Sequence, residues 1–97
     1  MAKRGYWVVS YRSVSSPEVF SEYAKLAAVA VEQLGGHAMV VGKPAKTYEA
    51  GVDQMVVIVE FESLDSAIAA YESDQYRPAL TLISRAAERD FRILEGR

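Results

Sequence analysis

The chain has no cysteine, one histidine and only three prolines among its 97 residues. The missing cysteine excludes disulfides, thiolate nucleophiles and thiolate metal ligands. One histidine without clustered carboxylates offers little from which to build a metal site. No apolar stretch approaches the roughly 20 residues of a membrane-spanning helix, and the basic N-terminus lacks the apolar segment of a signal peptide. We therefore expect a cytoplasmic protein with no metal, no resident cofactor and no membrane contact.

Charge of one sign is also scarce. The sequence has 11 basic and 13 acidic residues, a formal net charge of −2, and no block of like charges. A protein that binds nucleic acid through phosphates needs a basic patch, so we expect no nucleic-acid partner. Hydrophobic residues make up 51% of the chain, which is typical of a globular protein, and the length suits a single domain over residues 1–97.

The first half of the chain predicts a strand, a helix and a second strand. Aromatic and β-branched residues dominate 5–14, as in strands. Ser16 is placed to cap a helix, and Gly35 and Gly36 are placed to end it. Between them one apolar stripe recurs at helical spacing: Phe20, Tyr23, Ala24, Ala27, Val31 and Leu34. The apolar run that begins at His37 predicts the second strand.

The second half predicts a strand, a helix interrupted once, and a final strand. Residues 53–61 are apolar on both faces, so this strand is expected at the centre of a sheet. Ser63 caps the next helix, whose buried stripe is predicted to be Leu64, Ile68 and Tyr71. Pro78 disfavours helical geometry at the residue before it and predicts a break there. Alternation over 90–95 predicts the last strand.

The order β-α-β-β-α-β predicts an α+β, ferredoxin-like fold. Its four-stranded antiparallel sheet has the strand order 4-1-3-2, with both helices on one face. The first and third strands would then carry apolar side chains on the uncovered face as well, among them Tyr6, Val8, Val56 and Ile58. Because monomers rarely expose so large an apolar surface, we expect a homodimer that packs sheet against sheet.

The segments "GYWVV", "SPEVFSEYAKLA", "GGHAMVVG", "YEAG", "VVIVEFES", "AIAAYESDQY" and "ILEG" together resemble a small bacterial family, the domain of unknown function numbered 1330. The resemblance covers nearly the whole chain and implies a dimeric α/β barrel. That superfamily contains cofactor-independent monooxygenases, muconolactone isomerases and ligand-sensing domains. The family usually has Arg-Gly-Gly at the end of the second strand, where this chain has Val41, Gly42 and Lys43, so a role that needs that arginine does not carry over.

His37 is one candidate for chemistry. If the second and third strands form a hairpin, His37 faces Glu60, and Tyr6 on the first strand approaches the same point. A carboxylate that orients a histidine can tune a general base, so Tyr6, His37 and Glu60 are candidate catalytic residues. The alternative, which we favour, is that His37 only begins the strand and forms a structural ion pair with Glu60.

The aromatic residues suggest a second candidate. Tyr23 and Tyr71 each lie on the sheet-facing stripe of a helix and could line a pocket for a flat or apolar small molecule. Alternatively, the aromatic side chains only fill the core and the dimer interface. Arg12 and Arg92, on adjacent strands, could bind a carboxylate together or could pair with Asp90 or Glu95.

Three functions fit these features. The first is a cofactor-independent small-molecule enzyme, of oxygenase or isomerase type, with a pocket between helices and sheet. The second is a non-catalytic ligand-binding or stress-related accessory domain, and the third is a structural dimerisation module. A charged group that points into an enclosed cavity would favour the enzyme, an entirely apolar cavity the binding domain, and no cavity the structural module.

Overall fold

A computed structural model describes residues 3–97. It has seven elements in chain order: β1 (Gly5–Val14), α1 (Pro17–Gln33), β2 (His37–Gly42), β3 (Val56–Phe61), α2 (Leu64–Glu72), α3 (Arg77–Ile83) and β4 (Ala87–Glu95). The predicted second helix is split into α2 and α3, as expected, but the break lies at residues 73–76. Arg77, predicted to be non-helical, is the first residue of α3, because Pro78 is accommodated in the first turn of a helix. None of the helices in this described part of the chain is long and apolar enough to cross a bilayer.

The strands form one antiparallel sheet in the order β2-β3-β1-β4, which confirms the predicted topology. β1 and β3 are central. The predicted hairpin register is also observed, because His37 lies opposite Glu60, and Glu60 lies opposite Tyr6. The register shifts once in each outer pairing, between Tyr11 and Ser13 and between Ala38 and Val40.

Serine caps begin the two longer helices. The Ser16 hydroxyl accepts a hydrogen bond from the Val19 amide at 3.4 Å, and the Ser63 hydroxyl accepts one from the Ser66 amide at 3.1 Å. Both satisfy amide groups that a helix N-terminus leaves free. After α1 the chain turns through Gly35 at φ 85°, a left-handed conformation that glycine adopts without strain. The sequence therefore positions α1 and α2 through local chemistry.

The core lies between the sheet and the helices. Alternate residues of the two central strands point into it, and Trp7, Val9, Tyr11, Val59 and Phe61 are all buried. The other face of the sheet carries Val8, Val56 and Ile58, which are half-buried and have no helix over them. This two-sided apolar pattern is the one that the sequence predicts.

Two strand boundaries and one buried helix face differ from the sequence predictions. β3 begins at Val56 instead of residue 53, because the chain bends at Gln54. β4 begins at Ala87, three residues earlier than predicted, because β1 extends to Val14 and offers it a partner. The buried face of α2 is formed by Ala67 and Ala70, while Ile68, predicted as buried, is 38% exposed.

Candidate functional site

A cavity of about 250 Å³ lies between α1 and the sheet. Its walls come from α1 and all four strands, with one residue from the N-terminus of α3. Most of the lining is apolar: Trp7, Val9, Tyr11, Phe20, Tyr23, Ala24, Ala27, Ala28, Val31, Ala38, Val41, Met55, Val57, Val59, Tyr76 and Phe91, with Arg89 as the charged member. A space of this size accommodates a small organic molecule.

Alanines on α1 make this space. Ala24, Ala27 and Ala28 line the cavity where larger side chains would close it. Ala24 and Ala28 are also exposed to solvent, as is Val41 on β2, which is 64% exposed. The cavity therefore opens between α1 and the edge strand β2.

Polar groups converge at the other end of the cavity. The Arg89 guanidinium donates from Nη1 to the Tyr23 hydroxyl at 2.9 Å. The Tyr23 hydroxyl lies 2.8 Å from the Tyr76 hydroxyl, in a buried hydrogen bond. The Arg89 guanidinium carbon also lies 5.3 Å from the Tyr23 ring centroid and 5.0 Å from that of Phe91. These contacts join α1, α3 and β4 around one cation.

Burial controls the protonation of these groups. Burial first, and the neighbouring Tyr76 second, raise the pKa of Tyr23 far above its ordinary value, and the Arg89 cation only partly opposes this. Desolvation lowers the pKa of Arg89, but Tyr23 and Tyr76 raise it by more, so the net shift is upward. At neutral pH the site therefore presents a guanidinium cation and hydroxyl donors, not a proton-accepting base.

A second cluster lies on the uncovered face of the sheet. The Tyr6 hydroxyl donates to Glu60 Oε2 at 3.0 Å. This hydrogen bond is the main reason that the pKa of Tyr6 is raised, with burial second. His37 is exposed opposite Glu60, yet no ion pair between them forms in the described chain. The expected contact of Glu60 with His37 is thus replaced by its contact with Tyr6, whose longer side chain reaches across the strand pair.

Tyr23 and Tyr71 do not share one pocket. Tyr23 lines the cavity, whereas Tyr71 packs beside it, with its ring centroid 4.7 Å from Phe91 and 6.2 Å from Trp7. The separation arises because Tyr71 lies on α2, which packs on β1, β4 and β3, while the cavity lies under α1. Tyr71 is therefore part of an aromatic cluster that closes the neighbouring half of the core.

Arg12 and Arg92 pair with Asp90 instead of presenting a free site. Arg92 Nε lies 3.0 Å from Asp90 Oδ1, and Arg12 Nη2 lies 3.8 Å from Asp90 Oδ2. Arg12 and Asp90 border a concavity of about 500 Å³ on the uncovered face of the sheet, together with Ser10, Val52 and Gln54. Within residues 3–97, no group of three or more histidine, aspartate or glutamate side chains is arranged to hold a metal ion.

The family model for DUF1330, a domain of unknown function, matches residues 4–97. The chain belongs to the DUF1330 family. None of the curated proteins matches it by sequence.

Solved structures similar to this DUF1330 chain share its fold. RPA0582, a protein of unknown function from Rhodopseudomonas palustris, is 17% identical to this chain and has a TM-score of 0.71; the match covers 100% of this chain and 85% of the RPA0582 chain. SnoaB, a cofactor-independent oxygenase from Streptomyces nogalater, is 17% identical and has a TM-score of 0.65; the match covers 99% of this chain and 95% of the SnoaB chain. A dimeric ferredoxin-like protein of unknown function from Thermobifida fusca is 14% identical and has a TM-score of 0.59; the match covers 98% of this chain and 92% of that protein's chain. At these identities the likeness establishes the ferredoxin-like fold alone.

The sequence analysis missed Arg89, the charged residue of the cavity. Its signal is present in β4, where Ala87, Arg89, Phe91 and Ile93 alternate and therefore share one face of the sheet. Placing the start of the strand at residue 90 left Arg89 outside that alternation. A strand begun three residues earlier would have placed this arginine on the core side of the DUF1330 sheet.

Proposed function

We propose that this DUF1330 protein is a cofactor-independent small-molecule enzyme, of oxygenase or isomerase type, that acts as a homodimer. The observation that carries the proposal is the cavity under α1, which is apolar apart from Arg89 and the tyrosine hydroxyls beside it. SnoaB, which has the same fold, is described as a cofactor-independent oxygenase. This likeness suggests the reaction type, and the chemistry of the cavity supports it.

The donors at the end of the cavity suit reactions that develop negative charge on an oxygen. Oxygenation and isomerisation of enolisable or phenolic compounds both pass through enolate-like species. A guanidinium and a hydroxyl, held in place beside the buried hydroxyl of Tyr76, stabilise such an oxyanion. In this scheme Arg89 and Tyr23 supply the positive charge and the hydrogen bond, and the apolar walls hold the rest of the substrate.

One observation favours a second candidate, a non-catalytic ligand-binding domain. The residues that the structure places around the cavity include no histidine, aspartate or glutamate, so the lining offers no conventional general base. An enzyme of this kind must act on substrates acidic enough to ionise without one. Turnover, and not binding alone, therefore separates the two candidates.

The test blocks the mouth of the cavity. Phenols, hydroxyquinones and unsaturated lactones are first screened for thermal stabilisation of the protein, and hits are assayed for oxygen uptake and for products by mass spectrometry. Ala28→Phe, at the exposed mouth, should abolish both stabilisation and product formation. Val29→Phe lies on the same helix, is 56% exposed and is not part of the lining, so it should retain both. Binding without any product would leave the ligand-binding domain as the function.

The homodimer is proposed from the uncovered face of the sheet. Val8, Val56 and Ile58 are only half-buried there, and Val40 and Leu94 are 49% and 48% exposed. Covering such a surface is favourable by about 25 cal/mol for each Å² of apolar area. A second copy of the chain, related by two-fold symmetry, would present the same side chains to it. The Thermobifida fusca protein with this fold is described as dimeric, in keeping with this arrangement.

Light scattering at micromolar concentration should give about twice the chain mass of 10.7 kDa. Leu94→Lys would place a charge on the uncovered face and should shift the protein to monomer. Ile68→Lys introduces the same charge on α2, at a residue that is 38% exposed, and should leave the dimer intact. A wild-type monomer, stable and soluble at this concentration, would refute the dimer.

A further inference from the structure

We infer that the cavity selects ligands in which a flat apolar body carries one anionic oxygen, a carboxylate or an ionised phenol or enol, bound by Arg89 and Tyr23. This inference rests on the proposed function, because it requires a small molecule in the cavity. It names the class of that molecule, and three features of the site carry it.

The first feature is a hydrogen bond that the protein leaves unmade. Tyr23 and Tyr76 each have one hydroxyl proton, and a single proton occupies the 2.8 Å bond between their oxygens. Arg89 is itself a donor to Tyr23 and so supplies no acceptor. Within residues 3–97 the remaining hydroxyl proton therefore has no acceptor. An acceptor atom from outside the protein would complete this network.

The second feature is the charge of Arg89. Arg12, Arg77 and Arg92 are well exposed, and each lies within 4.0 Å of a carboxylate. Arg89 is half-buried, yet among the residues that the structure describes it forms no ion pair. Its neighbours are aromatic rings, which stabilise a cation without neutralising it. A partly desolvated cation that faces a cavity is complemented best by an anion.

The third feature is the shape of the remaining space. Beyond the polar end, Val9, Ala27, Val57 and Val59 present only carbon to the cavity. Its volume of about 250 Å³ is small for a ligand pocket and suits a body of one or two rings. A ligand with a second charge would leave that charge among these apolar side chains, at a cost that no contact offsets. The cavity therefore favours a single anionic group at one end of the ligand.

Matched probes test the inference by calorimetry. Naphthalene-2-carboxylate and naphthalene-2-carboxamide have nearly the same shape and differ in charge. The carboxylate should bind the wild-type protein about tenfold more tightly than the amide, because hydrogen bonds to charged groups are the stronger kind. A second pair, 4-nitrophenolate and 4-nitroanisole, shows whether an ionised phenol is accepted as well as a carboxylate.

Variants assign the selectivity to the site. In Arg89→Met, which keeps an apolar stem, the preference for the carboxylate should fall to about threefold or less. Arg85→Met removes an exposed arginine outside the cavity and should keep the full preference. If Arg89→Met fails to fold, Arg89→Lys should fold and show an intermediate preference, since a lysine keeps the charge but loses the planar fork.

The outcomes separate this inference from the proposed function. If both uncharged and anionic probes bind wild-type protein equally, the cavity binds ligands but the anion selectivity is wrong. An undiminished preference in both Arg89 variants would show that Arg89 does not bind the anion, which overturns the inference. If no probe of either charge binds at millimolar concentration and the screen of phenols, hydroxyquinones and lactones also finds nothing, both the inference and the proposed function fail.

Discussion

The two halves of the helix layer fill the space above the sheet in different ways. Over β1 and β4, the rings of Trp7, Tyr71, Tyr76 and Phe91 lie with centroids between 4.7 and 6.2 Å apart and pack against one another. Beside this cluster α1 presents alanines, and the cavity lies between α1 and the sheet.

The difference shows that side-chain volume decides where this fold is hollow. Both halves have a helix over the sheet and apolar strands below it. In the aromatic half, Trp7 is 2% exposed and Tyr76 is fully buried, so the rings fill the layer. In the other half, Tyr23 and its neighbours hold α1 in position, and the small alanine side chains of α1 leave room beneath the helix. The following predictions test this contrast.

Trp7→Ala should have the largest effect. Trp7 contacts four aromatic rings, and its indole Nε1 donates to the carbonyl of Ala67 at 2.8 Å. Removal of a buried tryptophan costs about 3–5 kcal/mol in the free energy of unfolding, enough to unfold a marginal domain. Urea denaturation measures the loss, with Trp7→Phe as a milder control. A loss below about 1 kcal/mol would mean that the aromatic half is not tightly packed.

The same substitution in the two halves should have opposite signs. Ala70→Leu, at a residue that is 2% exposed, forces extra volume into the aromatic half and should destabilise the protein by about 1–3 kcal/mol. Ala27→Leu fills the cavity and should stabilise the protein by up to about 1 kcal/mol while it abolishes probe binding. Urea denaturation and calorimetry measure the two effects. Equal losses in both variants would show that the cavity is not a real void.

Tyr23 should make stability fall at high pH. Its folded-state pKa is raised, chiefly by burial, above the ordinary value of about 10. Above that value the Tyr23 hydroxyl loses its proton in the unfolded chain but keeps it in the folded chain. The free energy of unfolding is therefore highest below about pH 10 and falls as the pH rises, by about 1.4 kcal/mol for each pH unit.

Tyr23→Phe should reduce this slope when unfolding is measured between pH 9 and about pH 11. Tyr48→Phe, at a ring that is 71% exposed, controls for the loss of one phenol. Identical slopes for wild-type protein and Tyr23→Phe would mean that Tyr23 is not buried as the cavity requires.

His37→Arg should have the smallest effect. His37 is exposed, and Glu60 already accepts a hydrogen bond from Tyr6, so the substitution should change the free energy of unfolding by less than about 0.5 kcal/mol. It should also leave the dimer and any turnover intact. If His37→Arg folds normally but abolishes turnover, the active site is Tyr6, His37 and Glu60 and not the cavity.

Much of this architecture follows from local patterns. The serine caps and the glycine stop mark the helix ends, and the order of elements predicts the sheet order. The hairpin predicts the register of His37 with Glu60, and the third strand, apolar on both faces, predicts the uncovered apolar face. The sequence did not show that Tyr71 lies outside the cavity or that Ile68 is exposed. Both depend on how α2 is rotated over the sheet. A helical stripe of mostly alanines and one tyrosine does not determine that rotation.

Which elements form, their order and the faces that the central strands bury follow from local patterns in the chain, because periodicity and capping act over a few residues. What those elements enclose depends on their packing in three dimensions. Arg89 is one charged residue near a strand boundary until β1 pairs with β4 and turns it toward the hydroxyl of Tyr23, 66 positions earlier in the chain. A cavity and a shared hydrogen bond are properties of distant side chains brought together, so no local pattern in the chain could specify them.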